Sequence, residues 1–242
     1  MKQDVETSHK LPGVKISFEG IDGSGKTTQT LLVQNHLERM GYKVFRAPDN
    51  SDASEENLDG KILSILRKEK DRFFRIGHPV TENLLLASRA AFIDKTITLS
   101  KLKSGYVVLA DRDVDTFIAY GIPNLQDAYP NKKPEELMDW MISIVSIGRI
   151  HPDLTILFKP NLNQFLSRAT VGIYKTNQKD NFSLEDWKFM EKIATYYERL
   201  KEIFPERILV FDITNKNKQE ILEELLHTII PFLEKRNVPK KK

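Results

Sequence analysis

The amino-acid sequence predicts an α/β fold built on a mostly parallel β-sheet. Short runs rich in β-branched and aromatic residues alternate with longer segments of helical period, which is the order of elements in folds of this class. Several runs are continuously apolar, as strands are when helices cover both faces of a sheet. Five such runs predict five strands, at residues 14–18, 42–45, 106–110, 154–158 and 208–211.

The segments between the predicted strands carry apolar residues at helical spacing. A proline followed by two acids, beginning at Pro134, is typical of the first turn of a helix. Helices are therefore predicted over residues 28–40, 86–97, 187–197 and 221–233, and one more begins at Pro134.

The composition excludes several classes of protein. A length of 242 residues favours one domain, or one domain with a lid or insert. The absence of cysteine excludes a disulfide scaffold, a thiolate zinc site, an iron–sulfur cluster and a cysteine nucleophile. A net charge of +3 is too small to indicate nucleic-acid binding. No apolar run reaches the roughly 20 residues of a membrane helix, and the N-terminus does not resemble a signal peptide, so we expect a cytoplasmic protein.

The strongest functional signal follows the first strand, where residues 20–27 read GIDGSGKT. They fit the phosphate-loop pattern G-x-x-x-x-G-K-[ST], in the strand–loop–helix context that the pattern requires. Glycines let successive backbone amides face a phosphate, and the positive end of the next helix adds to them. Lys26 would reach the β- and γ-phosphates, and Thr27 would hold Mg²⁺. The pattern predicts a P-loop fold with ATP-binding residues Gly20, Asp22, Gly23, Ser24, Gly25, Lys26, Thr27 and Thr28.

A second candidate group follows the third predicted strand. Asp111 stands at the strand's tip, where an acid beside a phosphate loop can hold Mg²⁺ directly or through water. Arg112 could hold a phosphate bidentately. Further arginines lie at Arg46, Arg89 and Arg168. Because ligands bind in crevices at the carboxyl ends of parallel strands, this set suggests a donor and an acceptor phosphate site.

A phosphate loop binds a nucleotide but does not name a reaction. The nearest match to the guanine-reading Asn-Lys-x-Asp of switch GTPases, at residues 215–218, lacks the final acid. No partner-binding module of a motor or remodelling ATPase is evident. A small kinase fits better, since phosphoryl transfer needs dispersed positive charge and the exclusion of water.

Several motifs resemble those of the thymidylate kinase family and occur in the family's order. Residues 18–29 (FEGIDGSGKTTQ) are similar to its opening. Asp111-Arg112 and residues 119–121 (AYG) resemble its Asp-Arg-Tyr and Ala-Tyr-Gln-Gly. Residues 152–155 (PDLT) match its Pro-Asp-Leu-Thr, and residues 81–89 are similar to its Thr-Glu, Leu-Leu-Phe and Ala-Asp-Arg helix. The resemblance runs from about residue 14 to residue 233.

The resemblance implies a five-stranded nucleoside monophosphate kinase fold with a mobile lid, ATP with Mg²⁺ as donor, dTMP as acceptor, and a homodimer. For the acceptor it implies Asp22 on the 3′-hydroxyl, Arg46 and Arg112 on the phosphate, Arg89 on the thymine carbonyl and Tyr120 on the deoxyribose. For ATP it implies Thr214, Asn215 and Lys216 beside the adenine.

The chain departs from the family pattern in the lid, which we expect at about residues 169–183. Members that have no arginine at the place of Gly23 supply that charge from the lid, yet these residues contain no arginine. We predict that Arg168 replaces it, with Lys175 as an assistant. The predicted catalytic residues are Lys26, Asp111, Arg112 and Arg168, and the predicted metal ligands are Thr27 and Asp111.

The chain also departs in the base pocket. Leu85 stands where the family often stacks a phenylalanine, and Phe117 where some members read the pyrimidine N3 with a polar residue. Asp113 replaces the third residue of Asp-Arg-Tyr. These departures leave open a kinase for another nucleoside monophosphate or a deoxynucleoside. The missing lid arginine leaves open a low-turnover nucleotide-binding regulatory protein.

The sequence predicts one kinase domain over residues 13–235, between two tails. Residues 1–12 are expected to be a disordered tail, and residues 236–242 a solvated, frayed basic tail. Nucleotides are the expected partners, with neither nucleic acid nor a membrane.

Overall fold

The computed structural model describes residues 11–48, 57–67, 75–159 and 184–241. The strands in these ranges are β1 (Val14–Glu19), β2 (Val44–Arg46), β3 (Val107–Asp111), β4 (Leu154–Lys159) and β5 (Ile208–Asp212). The helices are α1 (Lys26–Arg39), α2 (Leu58–Arg67), α3 (Pro79–Ile93), α4 (Leu99–Lys103), α5 (Val114–Ala128), α6 (Pro134–Ser146), α7 (Leu184–Ile203) and α8 (Lys218–Lys235). A π-helical turn, Asp94–Thr98, joins α3 to α4.

The five strands form one parallel sheet in the order β2-β3-β1-β4-β5. Every residue of β1 is buried, and β3 and β4 are buried over most of their length. This burial explains why the runs of β3 and β4 are almost continuously apolar. In β1, the polar residues Lys15, Ser17 and Glu19 are buried as well. The predicted parallel sheet and all five predicted strands are confirmed.

Helices cover both faces of this sheet. On one face, side chains of α1 and α8 form a core with Val14, Ile16 and Phe18 of β1. On the other face, α5, α6 and α7 pack together against Leu157 of β4. The predicted helices are confirmed, and none of the helices in the described ranges has the length and apolarity needed to cross a membrane.

The sheet topology brings the loops after β1 and β3 together. β1 lies between β3 and β4, and its register places Phe18 opposite Asp111. After β1 the chain continues to β2 and β3, which lie on one side of β1 within the sheet. It then continues to β4, which lies on the other side of β1. The carboxyl ends of β1, β3 and β4 therefore border the point where the strand order reverses, which is where open α/β sheets bind ligands.

The C-terminal tail corrects one expectation. The backbone of residues 236–241 is attached rather than frayed, although residues 239–241 are exposed to solvent. The Val238 side chain is buried, and the Lys241 amide donates to the Gly41 carbonyl at 2.6 Å. The Lys240 ammonium lies 4.9 Å from the centre of the Tyr42 ring. The face of the Tyr42 ring therefore attracts the Lys240 ammonium, although the sequence predicted a frayed tail here. Residues 1–10 of the predicted N-terminal tail and the predicted lid lie outside the described residues.

Candidate active site

The loop between β1 and α1 has the backbone of a phosphate cradle. Gly20, Gly23 and Gly25 have φ angles of 133°, 78° and 88°, a region that side-chain-bearing residues rarely adopt. At Gly20 a Cβ atom would also lie 2.7 Å from the carbonyl oxygen of Phe158. The motif glycines are therefore required by the conformation, which turns the chain directly into the first turn of α1.

Lys26 is folded onto this loop. Its Nζ donates to the Ile21 carbonyl at 2.7 Å and to Ser24 Oγ at 3.3 Å, and only 4% of the residue is exposed. Burial, with the nearby Arg112 guanidinium as a second cause, lowers the pKa of Lys26 to about 7. An anion placed at the amino end of α1 would favour the charged ammonium and restore the ordinary pKa.

Two oxygen donors meet beside the loop. Thr27 Oγ1, in the first turn of α1, donates a hydrogen bond to Asp111 Oδ2 at the end of β3. Among the described residues no group of three or more His, Cys, Asp or Glu side chains could enclose a metal ion. A hydroxyl and one carboxylate fit Mg²⁺, which binds through one or two carboxylates and completes its shell with water and nucleotide phosphates.

Arg112 connects the loop after β3 to the phosphate loop after β1. Its guanidinium forms an ion pair with Asp22, lies 3.4 Å from the Gly20 carbonyl oxygen, and stacks 5.0 Å from the centre of the Tyr120 ring. Its backbone is in the left-handed region, with φ of 74°. These contacts hold the planar guanidinium in one orientation, so its remaining N–H groups point in a fixed direction. Bidentate binding of a phosphate requires such a fixed direction.

A cavity of about 680 Å³ runs from the phosphate loop into the groove between α3 and α5. Many of the predicted site residues line it: Asp22, Gly23, Gly25, Lys26, Thr27, Thr28, Arg89, Asp111, Arg112, Phe117 and Tyr120. Donor-side and acceptor-side candidates therefore share one continuous space. That space allows two ligands to be held end to end.

Glu19, the last residue of β1, is fully buried behind the loop. One carboxyl oxygen accepts the Asp113 amide at 2.8 Å, and the other accepts Thr116 Oγ1. Burial, reinforced by the nearby Asp115 carboxylate, raises the pKa of Glu19 to about 8. The carboxyl is therefore mainly protonated at pH 7, and it ties β1 to the start of α5.

We expect Glu19→Gln to flatten the pH dependence of stability. Between pH 4.5 and pH 8 the folded protein retains a proton that the unfolded chain has lost, so the stability of the wild type falls as pH rises through this window. Relative to Glu19→Gln, the free energy of unfolding should fall by roughly 1 kcal/mol per pH unit. Urea unfolding at several pH values measures it. Parallel curves of unfolding free energy against pH for the wild type and Glu19→Gln would contradict the expectation. The control Glu136→Gln changes an exposed side chain and should match the wild type.

Comparison with known proteins decides the family. The sequence model described as "Thymidylate kinase" matches residues 18–225. The chain is 32% identical to the thymidylate kinase of Caldanaerobacter subterraneus, over 88% of this chain and 91% of that protein. The chain belongs to the thymidylate kinase family. It is also 32% identical to the thymidylate kinase of Mesoplasma florum, over 90% of this chain and 96% of that protein.

A solved structure supports the fold. A thymidylate kinase from Candida albicans superposes with a TM-score of 0.69 at 21% identity, covering 93% of both chains. Together with the five-stranded parallel sheet, this confirms the predicted P-loop α/β fold.

In this member of the family, the role of Leu85 in binding the acceptor stays a prediction, and the cavity lining singles out its neighbour. Leu86, one residue beyond the predicted Leu85, lines the cavity, and Leu85 does not. Leu86, Ala90 and Ile93 have the spacing of an apolar helical stripe, and all three face the cavity. The spacing identified the face of α3 but did not reveal that the face borders a ligand site.

Other predicted residues lie at the edges of the cavity or beyond it. Arg46 ends β2 and does not line the cavity, although the next two residues do. Residues 214–216 follow β5, and Asn215 has φ of 59°. Gln29 Nε2 of α1 donates to the Lys218 carbonyl at 2.9 Å, which ties this segment to the helix that begins at the phosphate loop. Arg168 and Lys175 lie outside the described residues.

Sequence reasoning missed two sets of cavity residues. Glu82 and Asn83 of α3 and Asn124 of α5 line its outer part. The inner end is lined by a second set, consisting of Lys15, Asp94, Thr98, Asp113 and Arg149. The sequence carried two signals: Lys15, a cation inside a run that otherwise reads as a buried strand, and Asp113, which replaces the third residue of the family's Asp-Arg-Tyr.

Proposed function

We propose that this protein transfers the γ-phosphoryl group of ATP to dTMP, giving dTDP and ADP. The observation that carries the proposal is the single cavity that joins the phosphate loop to the α3–α5 groove, in a member of the thymidylate kinase family. A nucleoside monophosphate kinase must hold two nucleotides with their phosphates end to end. This cavity supplies basic groups at the junction of its two parts.

On the donor side, the loop amides and the amino end of α1 bind the β- and γ-phosphates of ATP. Lys26 turns from the Ile21 carbonyl to the phosphate oxygens. Thr214, Asn215 and Lys216 border the adenine, since their segment is attached to α1 through Gln29.

Thr27 and Asp111 hold the metal ion of the donor. A magnesium ion held there would supply positive charge that neutralises the phosphates of the donor. Asp111 also orients the Thr27 hydroxyl through their hydrogen bond, so both donor atoms keep a fixed place at the end of β3.

On the acceptor side, Arg112 binds the phosphate of dTMP, and Arg46 approaches it from the end of β2. Asp22, paired with Arg112, accepts the 3′-hydroxyl, and the Tyr120 ring packs on the deoxyribose. Arg89 binds the thymine carbonyl. It is 5% exposed, and its guanidinium lies 3.8 Å from the Asp59 carboxylate of α2.

The chain catalyses transfer by position and charge. The acceptor phosphate attacks the γ-phosphorus in line, and Lys26 and Arg112 stabilise the charge on the transferring group and the acceptor. Arg168 supplies the remaining positive charge from the start of the lid segment. No side-chain nucleophile is required. A homodimer, which the family resemblance implies, and a cytoplasmic location, which the sequence predicts, stay predictions.

Phe117 favours the alternative in which the acceptor is not dTMP alone. Its side chain lines the base side of the cavity and cannot read an edge of the base by hydrogen bonding. An apolar wall discriminates weakly between similar ligands, whereas directed hydrogen bonds discriminate strongly. A broader set of nucleoside monophosphates, or a deoxynucleoside, is therefore the second candidate substrate.

A substrate panel tests the proposal. Purified protein receives ATP labelled in the γ-phosphoryl group together with dTMP, dUMP, dCMP, dGMP or thymidine. We expect label in dTDP, with kcat/KM for dTMP at least about tenfold above each other acceptor, since tenfold corresponds to 1.4 kcal/mol of discrimination. A tenfold preference for another acceptor would replace dTMP. Tight ATP binding without any transfer would favour the regulatory protein.

A further inference from the structure

The backbone at Arg112 is strained. Its φ of 74° lies in a region where a side chain clashes with the backbone, and such a residue persists only when its neighbours fix it. Arg112 is also the residue proposed to bind the acceptor phosphate. The groups that hold residues 111–113 therefore determine where the guanidinium points.

Residue 112 is held from both sides. Its own amide donates to the Phe18 carbonyl at 3.0 Å. The next amide, that of Asp113, donates to Glu19 Oε1 at 2.8 Å. The Asp113 carboxylate is 3% exposed and forms ion pairs with two cations, Lys15 Nζ at 2.6 Å and the Arg149 guanidinium.

A second carboxylate closes these contacts into a cluster. Asp94, at the start of the π turn, lies 3.1 Å from Lys15 Nζ and 2.7 Å from Arg149 Nε, and it accepts the Ile150 amide at 3.0 Å. The four charged side chains are between 2% and 5% exposed. Removing the four charges from water costs desolvation free energy that offsets their mutual attraction, so such a cluster contributes little net stability compared with apolar packing. What it provides is a fixed geometry, since each ion has two defined partners.

We propose that Lys15, Asp94, Asp113 and Arg149 form a positioning cluster for Arg112. The cluster anchors Asp113, and through it holds the strained residue before it, so that the guanidinium meets the acceptor phosphate without reorganisation. Lys15 and Arg149 both link Asp113 to Asp94, the residue that follows the helix carrying Arg89, and Arg149 does so through two separate nitrogens. The inference rests on the proposed function, in which Arg112 binds that phosphate.

If the cluster positions Arg112, a substitution in the cluster should weaken binding of the acceptor's phosphate group but not of its nucleoside part. The measured quantity is the ratio of the dissociation constants of thymidine and dTMP, which differ only in the group that Arg112 binds. We expect Arg149→Met to lower this ratio about tenfold through misplacement of Arg112. Thymidine affinity and the KM for ATP should stay within about twofold of the wild type, a spread below 0.5 kcal/mol.

A double-mutant cycle separates positioning from general damage. Arg112→Ala should itself lower the ratio, and adding Arg149→Met to it should cause no further change, because the effect passes through Arg112. Arg236→Met is the matched control. It removes an arginine 3.1 Å from the buried Asp153 carboxylate, away from the cavity, and should lower thermal stability without changing the ratio.

Each outcome bears on one claim. If Arg149→Met is folded and keeps the wild-type ratio, or if its effect persists without Arg112, the positioning cluster is wrong. If Arg112→Ala leaves the ratio unchanged, the acceptor clamp in the proposed function fails instead. Should Arg149→Met not fold, Arg149→Lys decides. Lysine keeps the charge but has one nitrogen in place of the two, Nε and Nη2, through which Arg149 contacts the carboxylates. A smaller fall in the ratio therefore supports the cluster, and an unchanged ratio overturns it.

Discussion

Replacing Lys26 by methionine abolishes phosphoryl transfer without destabilising the protein. In the folded chain the ammonium is buried, and its pKa is lowered to about 7. An apolar side chain of similar length removes that burial cost, so the Tm should be equal to or above that of the wild type. We expect kcat to fall about a thousandfold or more, because positioned charge supplies most of the catalysis of phosphoryl transfer.

A coupled assay and thermal unfolding measure both parts of this expectation. Lys132→Met is the control, since the Lys132 side chain is 61% exposed and pairs with Glu136 on α6, outside the cavity. It should leave kcat and Tm unchanged. A Lys26→Met enzyme with more than a tenth of the wild-type rate would contradict the assigned role.

Removal of the Arg112 side chain should produce the second large effect. Without the guanidinium, the acceptor phosphate loses a bidentate, partly buried ion pair. We expect kcat/KM for dTMP to fall about a hundredfold in Arg112→Ala, which is about 3 kcal/mol, while the KM for ATP stays unchanged. Steady-state kinetics with each substrate varied in turn measures the two values.

The strained backbone supplies a matched pair of variants at the same position. Arg112→Gly loses the same contacts as Arg112→Ala but tolerates φ of 74°. It should therefore be more stable than the alanine variant by about 1 kcal/mol, with the same loss of activity. Equal activity of Arg112→Ala and the wild type would remove Arg112 from the acceptor site. Arg199→Ala, on an exposed pair, controls for loss of surface charge.

The phosphate loop could be predicted from the sequence because its chemistry is local. Glycines, Lys26 and Thr27 occupy eight consecutive residues, and their conformation follows from glycine angles and the start of a helix. Asp111 and Arg112 could be added because parallel strands present their carboxyl ends at one edge. The structure places Gly23, Gly25, Lys26, Thr27, Asp111 and Arg112 around one cavity, together with Arg89, Phe117 and Tyr120.

The inner end of the cavity could not be predicted in the same way. Lys15, Asp94, Asp113 and Arg149 come from four separate segments of the chain, and their pairing depends on how the tertiary fold places those segments. The one-residue difference between Leu85 and Leu86 has the same origin. Neighbouring residues on a helix point about 100° apart, so a motif match alone does not decide which one faces the ligand.

The central claim is that backbone amides after β1 hold ATP while Arg112 holds dTMP in line with it. The most direct test is the dTMP reaction of the substrate panel, followed in a single turnover with ATP labelled in the γ-phosphoryl group. The account predicts that the label leaves ATP and appears in dTDP, with no free phosphate formed first. Label that appears only as inorganic phosphate, or that stays in ATP while dTMP is bound, would contradict it.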